Sequence, residues 1–246
     1  MATTKQFRAP GAPGFIDIAH DGVTYRVVVT RSSRARRVTL RIRAGTSDPV
    51  LTLPARGNLA VATNFAARHA GWLATRLARV PAQIPFRAGK TLPIRGADHH
   101  VTETGAVRGL VRATRIGEVR ILEVPGSPQH VARRVTEFLK REARRDLEAA
   151  VARHLAAAKA KARRISIKDT KSRWGSCSAN GTLSFSWRLI LAPPFVLDYL
   201  AAHEVAHLRE LNHSHKFWSL TRVLCSRTDE AEAWMKRHGA RLHRYG

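Results

Sequence analysis

Residues His203 to His213 read His-Glu-Val-Ala-His-Leu-Arg-Glu-Leu-Asn-His. The first five form an H-E-x-x-H pattern, which on a helix sets two imidazoles one turn apart with a carboxylate beside the first. At about 100° and 1.5 Å per residue, His203 and His207 lie roughly 40° and 6 Å apart on one face. Two imidazole nitrogens so placed reach one ion at about 2.0–2.1 Å, the Zn–N distance. Glu204 sits roughly 100° around from His203, better placed to hold a water on the metal than to bind the metal itself. A third protein ligand and that water complete the open tetrahedral site of a catalytic zinc.

His213 is the best third ligand. On a continued helix it would point roughly 120° away from His207, so the helix has to stop first. Asn212 is a residue type that tolerates the left-handed conformation used at helix ends. Ser214 can cap a new helix running through Phe217 and Trp218. Metzincins share the spacing but carry glycine where this chain has Glu210. Glu230 and Glu232 on a later helix, and His215, are rival ligands. The plain alternative is a chance match on an amphipathic helix. Against it, the apolar residues from Phe195 to Ala202, with Val205, Ala206 and Leu208, make this a largely buried helix, where unpaired histidines and a glutamate are costly.

The elements that must position these groups follow from the rest of the chain. Its 246 residues suffice for one large domain or two small ones. The composition, 44% hydrophobic and 25% charged, is that of a globular protein. A formal charge of +25 favours polyanions such as DNA, RNA or ribosomes, or anionic membrane surfaces, without identifying a partner. Two cysteines, Cys177 and Cys225, make no disulfide framework, which suits a reducing cytoplasm. Residues 1–14 lack an apolar signal region and read as a short disordered lead. No apolar run approaches the roughly 18 residues of a membrane span.

The fold class expected is α+β. Residues 15–125 read as a β-rich module with one helix, and 126–246 as a second, more helical domain. In the first, Tyr25–Val29 and Val38–Arg43 are strands, joined by a loop rich in arginine (Arg31, Arg34, Arg36, Arg37) that could contact phosphate. Asn58 to Arg79 is predicted as one amphipathic helix with Phe65, His69, Trp72, Leu73 and Leu77 inside. Short strands follow at Thr91–Ile94, Val107–Val111 and Val119–Glu123, and Pro125–Pro128 reads as a hinge. Next come a long helix, Val131 to Arg164, and a strand, Thr182 to Leu191, after the Asn180-Gly181 turn. Pro193-Pro194 starts the His203 helix. The Leu183–Leu189 stretch could offer free backbone groups to an extended peptide, with Trp174, Gly175, Phe185 and Tyr199 as cleft residues.

Several blocks together resemble the YgjP-type metallopeptidase family, which is similar to the SprT and WSS-type zinc proteases. They are Ser172-Arg173-Trp174-Gly175-Ser176-Cys177-Ser178, Trp187-Arg188-Leu189-Ile190, Asp198-Tyr199, the H-E-x-x-H pattern, and Asn212-His213-Ser214 followed by Phe217-Trp218. The chain departs at Phe185-Ser186, where the family often has an asparagine before the tryptophan. The resemblance implies a zincin-like minimal protease core of long helix, β-hairpin, H-E-x-x-H helix and C-terminal helices. It also implies Zn2+ on His203, His207 and His213, with Glu204 as base and a protein or peptide as substrate.

The chemistry expected is hydrolysis of a peptide bond, with Glu204 taking a proton from the zinc-activated water and passing it to the leaving amine. Tyr199, His215 and Arg173 are candidates to stabilise the oxyanion. Cys177 could cap zinc as an inhibitory thiolate, though a buried structural cysteine explains it better. A zinc-dependent nuclease, and a nucleic-acid-binding protein with a structural zinc, are the alternatives.

Overall fold

The computed structural model describes residues 14–43, 48–78, 82–170 and 172–246. The lead expected over 1–14 lies, Gly14 apart, outside the described residues. Two compact units divide the chain, Met1–Ala82 and Gln83–Gly246. No helix among the described residues is long and apolar enough to cross a membrane.

The first unit is a mixed sheet covered by two helices. Strands β1 (Gly14–His20), β2 (Val23–Ser32), β3 (Thr39–Ile42) and β4 (Pro49–Pro54) lie in the order β1-β2-β4-β3, with β2 and β4 parallel. Asp21 and Gly22 both take positive φ, the conformation a tight hairpin needs. Where one helix is predicted there are two, α1 (Leu59–Arg68) and α2 (Ala70–Ala78). Asn58 caps α1 by accepting from the Ala60 and Val61 N–H groups. His69 ends it, its Nδ1 2.8 Å from the Phe65 carbonyl. The buried face is Ala62, Ala66, Ala70 and Leu73, while Trp72 is 46% exposed. Alanines let both helices lie close on Ile16, Val27, Leu51 and Leu53, leaving no room for the larger ring.

The second unit opens with β5 (Thr91–Ile94), β6 (Ala97–Glu103), β7 (Arg112–Ile116) and β8 (Val119–Val124), ordered β5-β6-β8-β7. The strand expected at Val107–Val111 does not form; Val107 and Leu110 are exposed and Ala97–Glu103 pairs instead. Inward-facing His99 hid that strand's alternation. Helix α3 (Val131–Ala158) buries Val131, Val135, Leu139, Leu147 and Val151 along one stripe. It ends at Lys159, in the left-handed conformation (φ 48°), five residues before the predicted Arg164. Leu122 and Val124 of β8 share one core with Val131 and Val135, so Pro125–Pro128 joins elements of a single core.

A three-stranded sheet follows, of β9 (Arg164–Lys168), β10 (Gly175–Cys177) and β11 (Thr182–Ser186), ordered β10-β11-β9. β11 stops early because the Ser186 side chain accepts from the Arg188 N–H and starts a 3-10 turn over Trp187–Leu191. Helices α4 (Pro194–Ala206), α5 (His215–Leu224) and α6 (Thr228–Leu242) complete the unit. α4 is buried on nearly every side, through Val196, Leu197, Leu200, Ala201, Ala202, Val205 and Ala206. Such a helix lies inside the core, and any polar group on it needs a reason to be there.

Candidate metal centre

His203 lies in the last turn of α4, and His207 is the residue that ends the helix, its N–H still reaching the His203 carbonyl at 3.3 Å. The chain then turns through Leu208 and Arg209, whose N–H groups bond to Val205 and Ala206. Asn212 is not left-handed; positive φ outside glycine is confined to Asp21, Arg95 and Lys159 among the described residues. Its carbonyl instead accepts from the Ser214 N–H at 2.9 Å, closing the loop, and the Ser214 side chain caps α5. This reversal brings His213 back over α4.

The three imidazoles converge. His203 Nε2 and His213 Nε2 lie 3.1 Å apart, and one ligand atom from each of His203, His207 and His213 falls within 4.8 Å of the others. Phe217, fully buried, packs against all three rings at centroid distances of 4.9, 4.4 and 4.6 Å. The far nitrogens of two rings are engaged. Tyr199 donates its hydroxyl to Glu232 Oε1 (3.0 Å), so the same oxygen accepts from His203 Nδ1–H (3.2 Å). His207 Nδ1–H donates to the Glu210 carbonyl at 3.0 Å. With each Nδ1 a donor, both Nε2 atoms carry lone pairs. Burial, then the facing His207 and His213, pushes the His203 pKa down to about 4; burial lowers that of His207 as well.

The neutral imidazoles of His203 and His207, with the His213 ring converging on them, are a cation's donor set. Nitrogens on one tetrahedral zinc, each at 2.0–2.1 Å, lie about 3.3–3.4 Å apart, so the set fits zinc. The rival ligands are occupied elsewhere. Glu230 is paired with Arg227, Glu232 takes the Tyr199 hydroxyl, and exposed His215 lies beside Ser219.

Glu204 is 4% exposed and faces β10. The Cys177 backbone N–H donates to its carboxylate, while Oε2 has no partner. A Cβ at Gly175 would stand 2.3 Å from Glu204 Oε1, so only glycine leaves room for the acid. Burial pushes the Glu204 pKa up to about 7, against the pull of Arg173 and the Cys177 N–H. Burial also raises the Cys177 thiol, with the Glu204 charge adding to it, so the thiolate is disfavoured.

The expected cleft is corrected in part. β11 is the central strand of its sheet, hydrogen-bonded on both sides, and has no free edge for a peptide. Phe185, 1% exposed, belongs to the core, and so does Tyr199, whose hydroxyl is spent on His203 and Glu232. The edge strand is β10. Trp174 and Ser178 bond to β11 from their alternate positions, which turns the main-chain groups of Gly175 and Cys177 away from it. Trp174 is half-buried and stacks on His243 at 4.5 Å. The supporting roles of Glu232 and the Glu210 carbonyl had no signal in the sequence beyond residue type.

A family model for the YgjP-like metallopeptidase domain matches residues 36–238. The chain belongs to the YgjP-like family. A solved structure, the metallopeptidase zymogen of Pyrococcus abyssi abylysin, is similar to this YgjP-like chain at 19% identity. That similarity covers 37% of this chain and 93% of the other, with a TM-score of 0.34. No curated protein matches the YgjP-like chain.

Proposed function

We propose that this YgjP-like chain hydrolyses peptide bonds with a zinc ion held by His203, His207 and His213 and with Glu204 as the proton-transferring base. The observation that carries the reading is the buried Glu204 carboxylate. One part of it is fixed by a backbone N–H, Oε2 lacks a partner, and the adjoining residue on the helix, His203, is one of three convergent imidazoles. An orphaned buried oxygen is costly, and it is accounted for when a substrate water is to be held there.

When bound, zinc supplies a Lewis acid that polarises the scissile carbonyl and acidifies water. The protein's own groups do the rest. Glu204 Oε2 accepts a proton from the attacking water and returns it to the leaving amine, a task suited to a carboxyl whose pKa lies near neutrality. Tyr199 and Glu232 hold His203 in the tautomer that presents Nε2, and the Glu210 carbonyl does the same for His207. The outward main-chain groups of Gly175 offer an extended substrate its first ladder contact.

Glu204→Gln is expected to keep stoichiometric zinc and to lose about 10²–10⁴ of the peptidase rate. Metal analysis with a casein or peptide assay measures both, and full activity in that variant would reject the assigned base. RNA and DNA incubated in parallel test the nuclease alternative.

A polyanion contact is a second reading, supported in the first unit by Arg34, Arg36, Arg37, Arg41 and Arg43. All are exposed, and the ion pairs of that unit's described residues engage only His20 and Arg26. Salt-dependent binding of a nucleic acid that weakens on replacing them would support it; no binding at low salt would dismiss it.

A further inference from the structure

A cavity of about 380 Å³ opens beside His207, one of the three convergent histidines, with Cys177 also in its lining. Its wall also carries Lys159, Lys161 and Arg209, and no Asp or Glu is among its lining residues. The left-handed Lys159 turns the chain sharply at the end of α3, which brings both lysines to this wall. Arg209 braces them, donating to the Ala158 carbonyl at 3.1 Å and to that of Lys159. Every ion pair among the described residues uses an arginine or a histidine, so neither Lys159 nor Lys161 is in an ion pair among them. Leu208 and Leu211 add an apolar rim, and Leu211 is 81% exposed at a loop where a leucine has nothing else to cover.

We infer that this cavity is a specificity subsite that selects a substrate carboxylate close to the scissile bond. The inference rests on the peptidase reading above and names the substrate class: acidic peptides. Three cations around a concave wall without a compensating anion favour a negative group, and charge-assisted hydrogen bonds hold it. The leucine rim suits the methylenes of a glutamate. Because His207 borders both the cavity and the metal centre, the selected residue lies next to the bond that is cut. The carboxylate can come from an acidic side chain or from the peptide's C-terminus.

The test uses the full-length, zinc-loaded protein and four matched fluorogenic peptides. Two carry Glu or Gln beside the cut, and two end in a free carboxylate or an amide. A preference of about tenfold in kcat/KM is expected for Glu over Gln, or for acid over amide, and the pair that shows it identifies the source. Raising the salt should shrink that ratio. In Lys159→Asn/Lys161→Glu, where asparagine keeps the left-handed turn, the ratio should fall to parity or invert. Binding of the same peptides to Glu204→Gln, read by fluorescence anisotropy, supplies an arm that needs no catalysis. A binding preference with no peptide cut would refute the peptidase reading and leave the subsite standing. Equal binding and equal cleavage of the acidic and neutral peptides would overturn the subsite, and so would a preference unchanged in the double lysine variant.

Discussion

A side chain at position 175 would collide with Glu204 Oε1, its Cβ standing 2.3 Å away. Gly175→Ala should therefore displace the carboxylate and lower kcat by about 10²-fold, as a misplacement of about 1 Å can do. Zinc content should be unchanged, because no ligand moves; loss of the metal instead would show that Gly175 supports the ligands. Tyr199→Phe deletes the hydroxyl between His203 and Glu232. It should weaken zinc by about 10–100-fold in a chelator competition, and an unaltered affinity would remove Tyr199 from the supporting set. The convergence of His203, His207 and His213 could be read from spacing in the sequence. The engagement of their far nitrogens could not, since Glu232 meets Tyr199 only after α6 has packed on α4.

Glu204 and His203 also pull the stability of the metal-free protein in opposite directions. The folded Glu204 pKa is raised from 4.5 to about 7. Its contribution is fully present below pH 4.5 and is lost as pH rises through about 7. That of His203 is lowered from 6.5 to about 4, so its contribution is present above pH 6.5 and is lost as pH falls towards 4. Between these limits the two slopes offset one another. Glu204→Gln removes only the first. Relative to the parent, it should gain up to roughly 3 kcal/mol between pH 4.5 and 7. Urea unfolding in the presence of chelator measures this, and parallel pH profiles for the two proteins would contradict it.

At the level of elements, the start of α4 is clamped by the β5–β6 turn. The Arg95 N–H donates to the Ile190 carbonyl at 2.7 Å, and Arg95 pairs through its side chain with Glu142 and Asp146 of α3. Gly96, at φ +76°, lies so close to Pro193 that an added Cβ would be 3.0 Å from its Cα. Gly96→Ala adds a left-handed non-glycine residue and a backbone collision, and should cost about 1–3 kcal/mol in denaturant unfolding. A neutral result would mean that the turn is free to move off α4. The elements differ in how plainly their residues announce them. α4 was visible because a proline pair opens it and apolar residues surround the histidines. The end of β11 was not, because Trp187–Leu191 continues the apolar run after Ser186 has already turned the chain. β6 does not show in the alternation because buried His99 occupies an inward position that the alternation rule gives to an apolar residue.

For the whole molecule, two separate cores mean that a metal held by the three histidines would act on one of them. All the candidate ligands and their supporting groups lie in Gln83–Gly246. Zinc at about 100 times its Kd should stabilise that unit by about 2.7 kcal/mol. Four of the five tryptophans, Trp174, Trp187, Trp218 and Trp234, report on it, and Trp72 reports on the other unit. Thermal unfolding followed by fluorescence in wild type and in a Trp72→Phe variant should show the same zinc-dependent shift; a shift lost with Trp72 would place the metal elsewhere. The front strands were legible from β-branched runs, but the division near Ala82 was not. The proline-rich Pro125–Pro128 segment carries the stronger breaker signal, although Leu122, Val124, Val131 and Val135 form one core across it.

Phe217 has a kinetic consequence. Its ring is wedged under all three imidazoles and is itself immobilised in the core, so the histidines are oriented by packing before any ion arrives. Uptake should then be a capture event rather than a folding event, with a rate governed by the swing of His213, the outermost ring. Loosening that loop should speed the exchange of zinc in both directions and leave the affinity nearly where it was.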